Sequence, residues 1–279
     1  MIRLKSYGDK LTSGVYRLHS RFERAANFVC GDSLVCCVDE SIGPGPFNVV
    51  LAGTPVDTVQ SLMIDTKSLL INGKQFDFEP SRRYRSSIKL SANIDKERLA
   101  DNIRYFGDCL KRLSNPYSLA FLLDSRRENK FFSAFGIEFI CRCKAGVEYF
   151  FTGDFIKGVE RLRGLGFGLT PSGDDFLAGA MAALNLSQSI FRKDNSGKIA
   201  QIYQAARGEN PLVNAFLECA KDGYLAWRFN DLIEAILYDV QPWVYLKTQD
   251  LLEMGETSGA DWGTGFYMTM WKEIYSAGD

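Results

Sequence analysis

Residues 164–179, GLGFGLTPSGDDFLAG, gather five glycines, two hydroxyl residues (Thr170 and Ser172) and two adjacent carboxylates (Asp174 and Asp175) ahead of an apolar run. Part of this stretch recurs. Residues 172–179 read SGDDFLAG and residues 258–265 read SGADWGTG, so both fit S-G-x-D-[FW]-x-x-G, each with a threonine just upstream, Thr170 and Thr257. Ser172 with Asp175, and Ser258 with Asp261, have the spacing of capping boxes, which satisfy the first amides of a helix and contribute about 1 kcal/mol. That role requires neither the glycines at 164, 166 and 168 nor Gly179 and Gly265, each of which costs roughly 1 kcal/mol inside a helix. The spacing therefore predicts two helices in close approach at Gly179 and Gly265. At 1.5 Å per residue each helix start lies about 10 Å from such a crossing, so roughly parallel helices bring both N-termini to one small pocket.

A helix start offers amide donors and about half a positive charge, which suits a phosphate or a carboxylate. The glycine run lets main chain come close to a ligand. Candidate binding residues are then Gly166, Gly168, Thr170, Ser172, Gly173, Thr257, Ser258 and Gly259, with Asp174, Asp175 and Asp261 as candidate catalytic groups. Neighbouring carboxylates repel one another. Three partners could face them: Arg161 or Arg163, whose guanidinium pairs bidentately with anions; a divalent cation such as Mg²⁺ on Asp174 and Asp175; or the NH₂ of an amide-like substrate. Familiar phosphate loops do not fit, since no G-x-x-x-x-G-K-[ST] lysine is present and the glycines run G-x-G-x-G rather than G-x-G-x-x-G. The one histidine, His19 in LHSRFERAANF, could join Ser172 and an aspartate in a triad, but no nucleophile elbow accompanies it.

The elements that must position these groups change character along the chain. From about residue 28 to 90 short β-rich runs alternate with turn residues, and Asn72-Gly73 between Leu70-Ile71 and the Phe76, Phe78 pair is a two-residue hairpin signal. From about residue 95 the period is helical: Asp95 is the expected N-cap of a helix that places Leu99, Ile103, Phe106 and Leu110 on one face. Residues 130–150 fit either strands or a buried helix, since short apolar runs are not separated by periodicity alone, and strands are the favoured expectation. Beyond residue 154 the pattern is helix after helix, with Gly208, Gly223 and Gly255 at C′ positions and Pro211 and Pro242 in first turns. The expected fold class is α+β, a β-rich barrel or sandwich domain over residues 1–92 followed by a mainly α-helical domain over residues 93–279.

With 33 basic and 34 acidic side chains the net charge is −1, which argues against nucleic acid as a partner. The first residues, MIRLKSYGDKL, lack a signal-peptide core, and no run of 18 apolar residues occurs, so the expected location is cytoplasmic, without a membrane span. The cysteines, seven in number and without a repeated C-x-x-C spacing, read as reduced thiols, with Cys141 and Cys143 as the alternative metal pair.

Taken together, GLGFGLTPSGDDFLAG and GETSGADW make the chain resemble a bacterial family once described as a domain of unknown function or a carboxylase. That family is now associated with the H subunit of the oxamate carbamoyltransferase of anaerobic allantoin degradation, a route of purine catabolism. HSRFERAANF is similar to the family's N-terminal His-Ser-x-Phe motif and GPGPFNVVL to its strand after a proline turn. Glu256 stands where members often carry histidine, and Pro211 and Asn214 where they tend to place threonine and serine.

The resemblance implies interconversion of oxalurate plus phosphate with oxamate plus carbamoyl phosphate. It also implies a complex with two further subunits, one related to acyl-CoA ligases. All these ligands are small anions, and two also carry an amide NH₂ that a carboxylate can accept from. On that basis Gly166, Gly168 and the 172–175 amides hold phosphate, Asp174 or Asp175 orients the carbamoyl nitrogen, and Arg163 and His19 are further binding candidates. Two alternatives stand beside this transferase subunit: a non-catalytic module that binds a small carboxylate or phosphate or docks onto an enzyme, and a Mg²⁺-dependent hydrolase or lyase using the paired aspartates.

Overall fold

A computed structural model describes residues 2–53, 55–90, 93–166 and 168–276. It divides the chain into two compact units, Met1–Ile88 with Tyr224–Trp227, and Lys89–Gly223 with Arg228–Asp279. The expected boundary at residue 92 lies outside the described residues, as does Phe167 of the glycine-rich stretch.

The first unit is a nearly closed, barrel-like sheet of eight strands. These are β1 (Arg3–Tyr7), β2 (Gly14–Arg21), β3 (Ala25–Cys30), β4 (Ser33–Val38), β5 (Asn48–Ala52), β6 (Leu62–Ile64), β7 (Ser68–Ile71) and β8 (Lys74–Asp77). They lie in the order β1-β5-β4-β3-β2-β6-β7-β8, antiparallel except for the β4–β5 pair. The inside is filled by Phe28, Val35, Val49, Leu69 and Ile71, none of which keeps any exposed surface. Asn72 (φ 49°) and Gly73 (φ 76°) make the two-residue turn between β7 and β8, the positive angles their sequence predicts. Strand structure begins well ahead of residue 28. The pattern is weak in β2, where most side chains between Gly14 and Arg21 are exposed or half-exposed and no strict apolar alternation marks the strand.

The second unit is helical. Its elements are α1 (Lys96–Leu113), α2 (Ala134–Thr152), α3 (Phe155–Leu162), α4 (Ser172–Phe191), α5 (Ser196–Ala206), α6 (Pro211–Lys221), α7 (Trp227–Tyr238, after its first residue), α8 (Gln241–Leu252) and α9 (Ser258–Ser276). The α1 helix starts as its sequence requires: the Asp95 side chain accepts from the amides of Glu97 and Arg98, and Leu99, Ile103, Phe106 and Leu110 are fully buried. At the centre is α4, with Phe176, Leu177, Ala180, Met181, Ala183 and Leu184 all inaccessible, a helix apolar on nearly every side.

Residues 134–152 correct the strand expectation for this region. Gly136, Phe139, Ile140, Cys143, Gly146, Val147 and Phe150 are the buried positions of α2, a helical spacing. Large apolar side chains outside the buried stripe, Phe135 and Ile137, are exposed and hide that spacing in the sequence. Ser133 caps the helix by accepting from Gly136 N at 3.0 Å, and Gly153 ends it at φ 139°. No helix among the described residues is long and apolar enough to cross a membrane.

Candidate functional site

The two S-G-x-D copies start α4 and α9, and these helices cross where both copies place their last glycine. A Cβ on Gly179 would collide with Trp262 O and stand 2.9 Å from Phe266 N, while a Cβ on Gly265 would collide with Phe176 O. Phe176 and Trp262 occupy the same place in the two copies, so the contact has an approximate two-fold symmetry. The first glycine of each copy is needed in a parallel way, because a side chain on Gly173 would strike Leu162 O at the end of α3, and one on Gly259 would strike Leu251 O near the end of α8. Each helix start is thereby pressed against the end of the helix before it. Only glycine permits main chain to meet main chain this closely.

The crossing brings the helix starts together. Thr170 Oγ1 lies 3.1 Å from Ser258 Oγ and donates to Asp175 Oδ2 at 3.2 Å. Asp175 is faced by Thr170 of its own copy and Ser258 of the other. Asp261 is faced by Thr257 of its own copy and Ser172 of the other. This exchange replaces the capping boxes expected within each copy. Ser172 is not the cap, because Pro171 occupies that position and its carbonyl accepts from Asp174 N at 2.9 Å and Asp175 N at 3.1 Å.

Thr170, Asp175, Thr257 and Ser258 keep partial exposure and form a rim. Ser172, Asp174 and Asp261 are buried beneath it. Asp174 Oδ1 accepts from Gly164 N at 3.1 Å, which ties the glycine-rich turn to α4. Asp261 Oδ1 accepts from Leu119 N at 2.5 Å, at the first residue of a 3₁₀ turn spanning Leu119–Leu122. Asp261 Oδ2 is buried and meets no hydrogen-bond partner.

Burial dominates the electrostatics, since desolvation disfavours a charged carboxyl. Asp174 is pushed up to about 6, against the Gly164 amide and the Arg163 charge. Asp261 is pushed up to about 7, against the Leu119 amide and the Ser172 and Thr257 hydroxyls. Asp175 is raised well above the ordinary carboxylate range by burial first and the Asp261 charge next, while the Ser258 and Thr170 hydroxyls pull the other way. Burial therefore favours the protonated form of all three, which eases the repulsion that adjacent ionised carboxylates would bring. No group of three or more His, Cys, Asp or Glu among the described residues is disposed to hold a metal ion.

Several candidates lie differently from their expected roles. Several amides of the helix starts are committed to main chain: Gly173 N donates to Leu165 O at 2.8 Å, Gly259 N to Met254 O at 3.0 Å and Asp261 N to Thr257 O at 2.9 Å. Arg163 donates to Ala205 O and Arg207 O, at 3.2 and 3.3 Å. Arg161 lies over the Tyr149 ring. His19 is an exposed residue of β2 in the first unit, its Nδ1 3.2 Å from Ser20 Oγ. Gly164, Gly166 and Gly168 all have positive φ. A shallow groove lined by Ile156, Ala200, Gln201, Gln204 and Ala205 contains none of the candidate residues. Two groups that shape the site carry no residue-type signal, the Leu119 amide and the Leu162 carbonyl.

Residues 162–270 match the family model described as oxamate carbamoyltransferase subunit AllH. The match runs from the end of α3 through both motif copies and their crossing. No curated protein and no solved structure matches the chain.

Proposed function

We propose, from the AllH-family match of residues 162–270, that the chain is the subunit of an oxamate carbamoyltransferase that carries its ligand site, at the joined starts of α4 and α9. The observation that carries this reading is the pairing of Thr170 with Ser258, which unites two motif copies far apart in sequence around three buried or half-buried carboxyls. Burial and like charges that raise carboxyl pKa values are a recurring feature of functional sites.

The proposed reaction interconverts oxalurate plus phosphate with oxamate plus carbamoyl phosphate. In the phosphorolytic direction a phosphate oxygen attacks the carbamoyl carbon, the bond from that carbon to the oxamate nitrogen breaks, and the leaving nitrogen takes a proton. Asp175, partly accessible and raised above the ordinary carboxylate range by burial and the Asp261 charge, is the proposed donor of that proton. The turn around Gly166 and Gly168 is the proposed approach for phosphate, since the Gly173, Asp174 and Asp175 amides of α4 are already engaged. The further subunits, one related to acyl-CoA ligases, are the proposed partners.

The deciding experiment is phosphate-dependent release of oxamate from oxalurate by the assembled complex, with the wild-type chain or with Asp175→Asn. The transferase reading expects a loss greater than tenfold with assembly intact. A non-catalytic binding or docking subunit would leave turnover unchanged.

A further inference from the structure

We infer that the edge of β2 from Arg17 to Arg21 is a docking surface, which takes an extended acidic segment of a partner protein as an added strand. The inference concerns the first unit alone and holds wherever the small ligand binds.

The strand β2 outruns one of its neighbours. On one side it pairs with β3 as far as Arg21, which stands opposite Ala26. On the other it pairs with β6 only from Gly14 to Tyr16, opposite Ile64 to Leu62. The chain ahead of β6 is committed elsewhere, since the amides of Gln60 and Ser61 both donate to Asn72 Oδ1. Among the described residues no strand pairs with Arg17–Arg21 on the side away from β3. Such an edge offers main-chain donors and acceptors that another strand can satisfy. It is also held in shape, because Ser20 Oγ accepts from Nδ2 of the buried Asn27 at 3.0 Å, next to the break in register between Leu18 and Ser20.

The side chains single out the same place. Val15, Leu18, Phe22 and Met63 are the large apolar residues exposed in the first unit among those described. Val15 and Leu18 belong to β2, Phe22 follows it, and Met63 is the register partner of Val15 on β6. Scattered singly they would need no explanation, but gathered on one strand and its neighbour they mark a contact surface. Interleaved with them are Arg17, Arg21 and Arg24, against the single carboxylate of Glu23. Arg17 is exposed, Arg21 gives one donor to Val59 O, and Arg24 reaches Asp39 only at 3.9 Å.

Charge identifies the occupant. A second copy adding its own β2 antiparallel and centred on His19 would set Arg17 against Arg21 at both ends, and like charges directly opposite are destabilising. A strand with aspartate or glutamate at those places turns the repulsion into attraction, while its apolar residues cover Val15, Leu18 and Phe22. The arginines thus bar self-pairing and select an acidic partner by the same means.

The probe is a short fluorescent peptide of alternating glutamate and valine, titrated with the full-length chain and followed by anisotropy. It is expected to bind at least tenfold more tightly than the same peptide with lysine for glutamate. It should exceed by a similar factor its fully N-methylated form, which keeps the side chains and has no main-chain donor. Arg17→Glu should weaken the acidic peptide at least tenfold and shift the preference towards the lysine peptide, a reversal that misfolding would not produce. Amide signals of residues 17–21 should move along the same binding curve. Equal binding of the acidic and lysine peptides, equal binding of the N-methylated form, shifts confined to other residues, or no binding of the acidic peptide each overturn the inference. A dimer of the chain alone in sedimentation, dispersed by Leu18→Glu, would give the edge to a second copy and overturn it too. None of these outcomes bears on the ligand site proposed in the second unit.

Discussion

Gly179 and Gly265 hold equivalent places on the two sides of one helix crossing, each with the other helix's main-chain carbonyl, Trp262 O or Phe176 O, where its own Cβ would be. Their cost in helix propensity is offset by an approach that no other residue allows, and that approach is what joins the two helix starts.

Gly179→Ala and Gly265→Ala should each destabilise the chain by about 1–3 kcal/mol, although alanine is the better helix former by about 1 kcal/mol. The two effects should be similar because the contact is nearly symmetric. Gly197→Ala, where a Cβ meets nothing within 4 Å, is the control and should be neutral or mildly stabilising. Chemical denaturation of the three variants measures this.

Much of this arrangement is visible before folding is considered, and the reason differs by element. Asn72-Gly73 and Asp95 act through local backbone chemistry, so their turn and cap follow from residue type. The repeated glycines mark the crossing because nothing else explains their cost. The helix α2 is hidden because Phe135 and Ile137 are apolar yet exposed, which blurs the period. The exchange of serines between copies is hidden for another reason: Ser172 and Asp175 have the spacing of a local cap, and only tertiary packing turns each aspartate towards the other copy's serine. The Leu119 amide leaves no mark in sequence at all.

A double-mutant cycle can read that exchange directly. Asp175→Asn combined with Ser258→Ala should show a coupling of about 0.5–3 kcal/mol, the range for residues in one hydrogen-bonded network. The Asp175→Asn and Ser172→Ala pair should show little coupling. The reverse pattern would restore the local capping boxes.

Stability should depend on pH through the buried carboxyls. Asp174 and Asp261 titrate at about 6 and 7 when folded, against about 3.9 in an unfolded chain. Between roughly pH 4 and 7 the folded state therefore binds more protons than the unfolded state, and stability falls as pH rises. Asp261→Asn removes one of these titrations and should flatten the decline, so that at pH 8 it melts at or above the wild-type temperature. Melting curves at pH 5 and 8 check the sign. A variant that loses stability at pH 8 would show that the ionised carboxylate is structural.

The central claim is that ligand enters between the starts of α4 and α9, and amide chemical shifts of the isotopically labelled full-length chain report on it residue by residue. Titration with oxamate should move the signals of Gly166, Gly168, Thr170, Ser258 and Asp261 together, along one saturable binding curve. Shifts confined to residues outside the two motif copies, or none at a concentration that calorimetry shows to be saturating, would contradict the account.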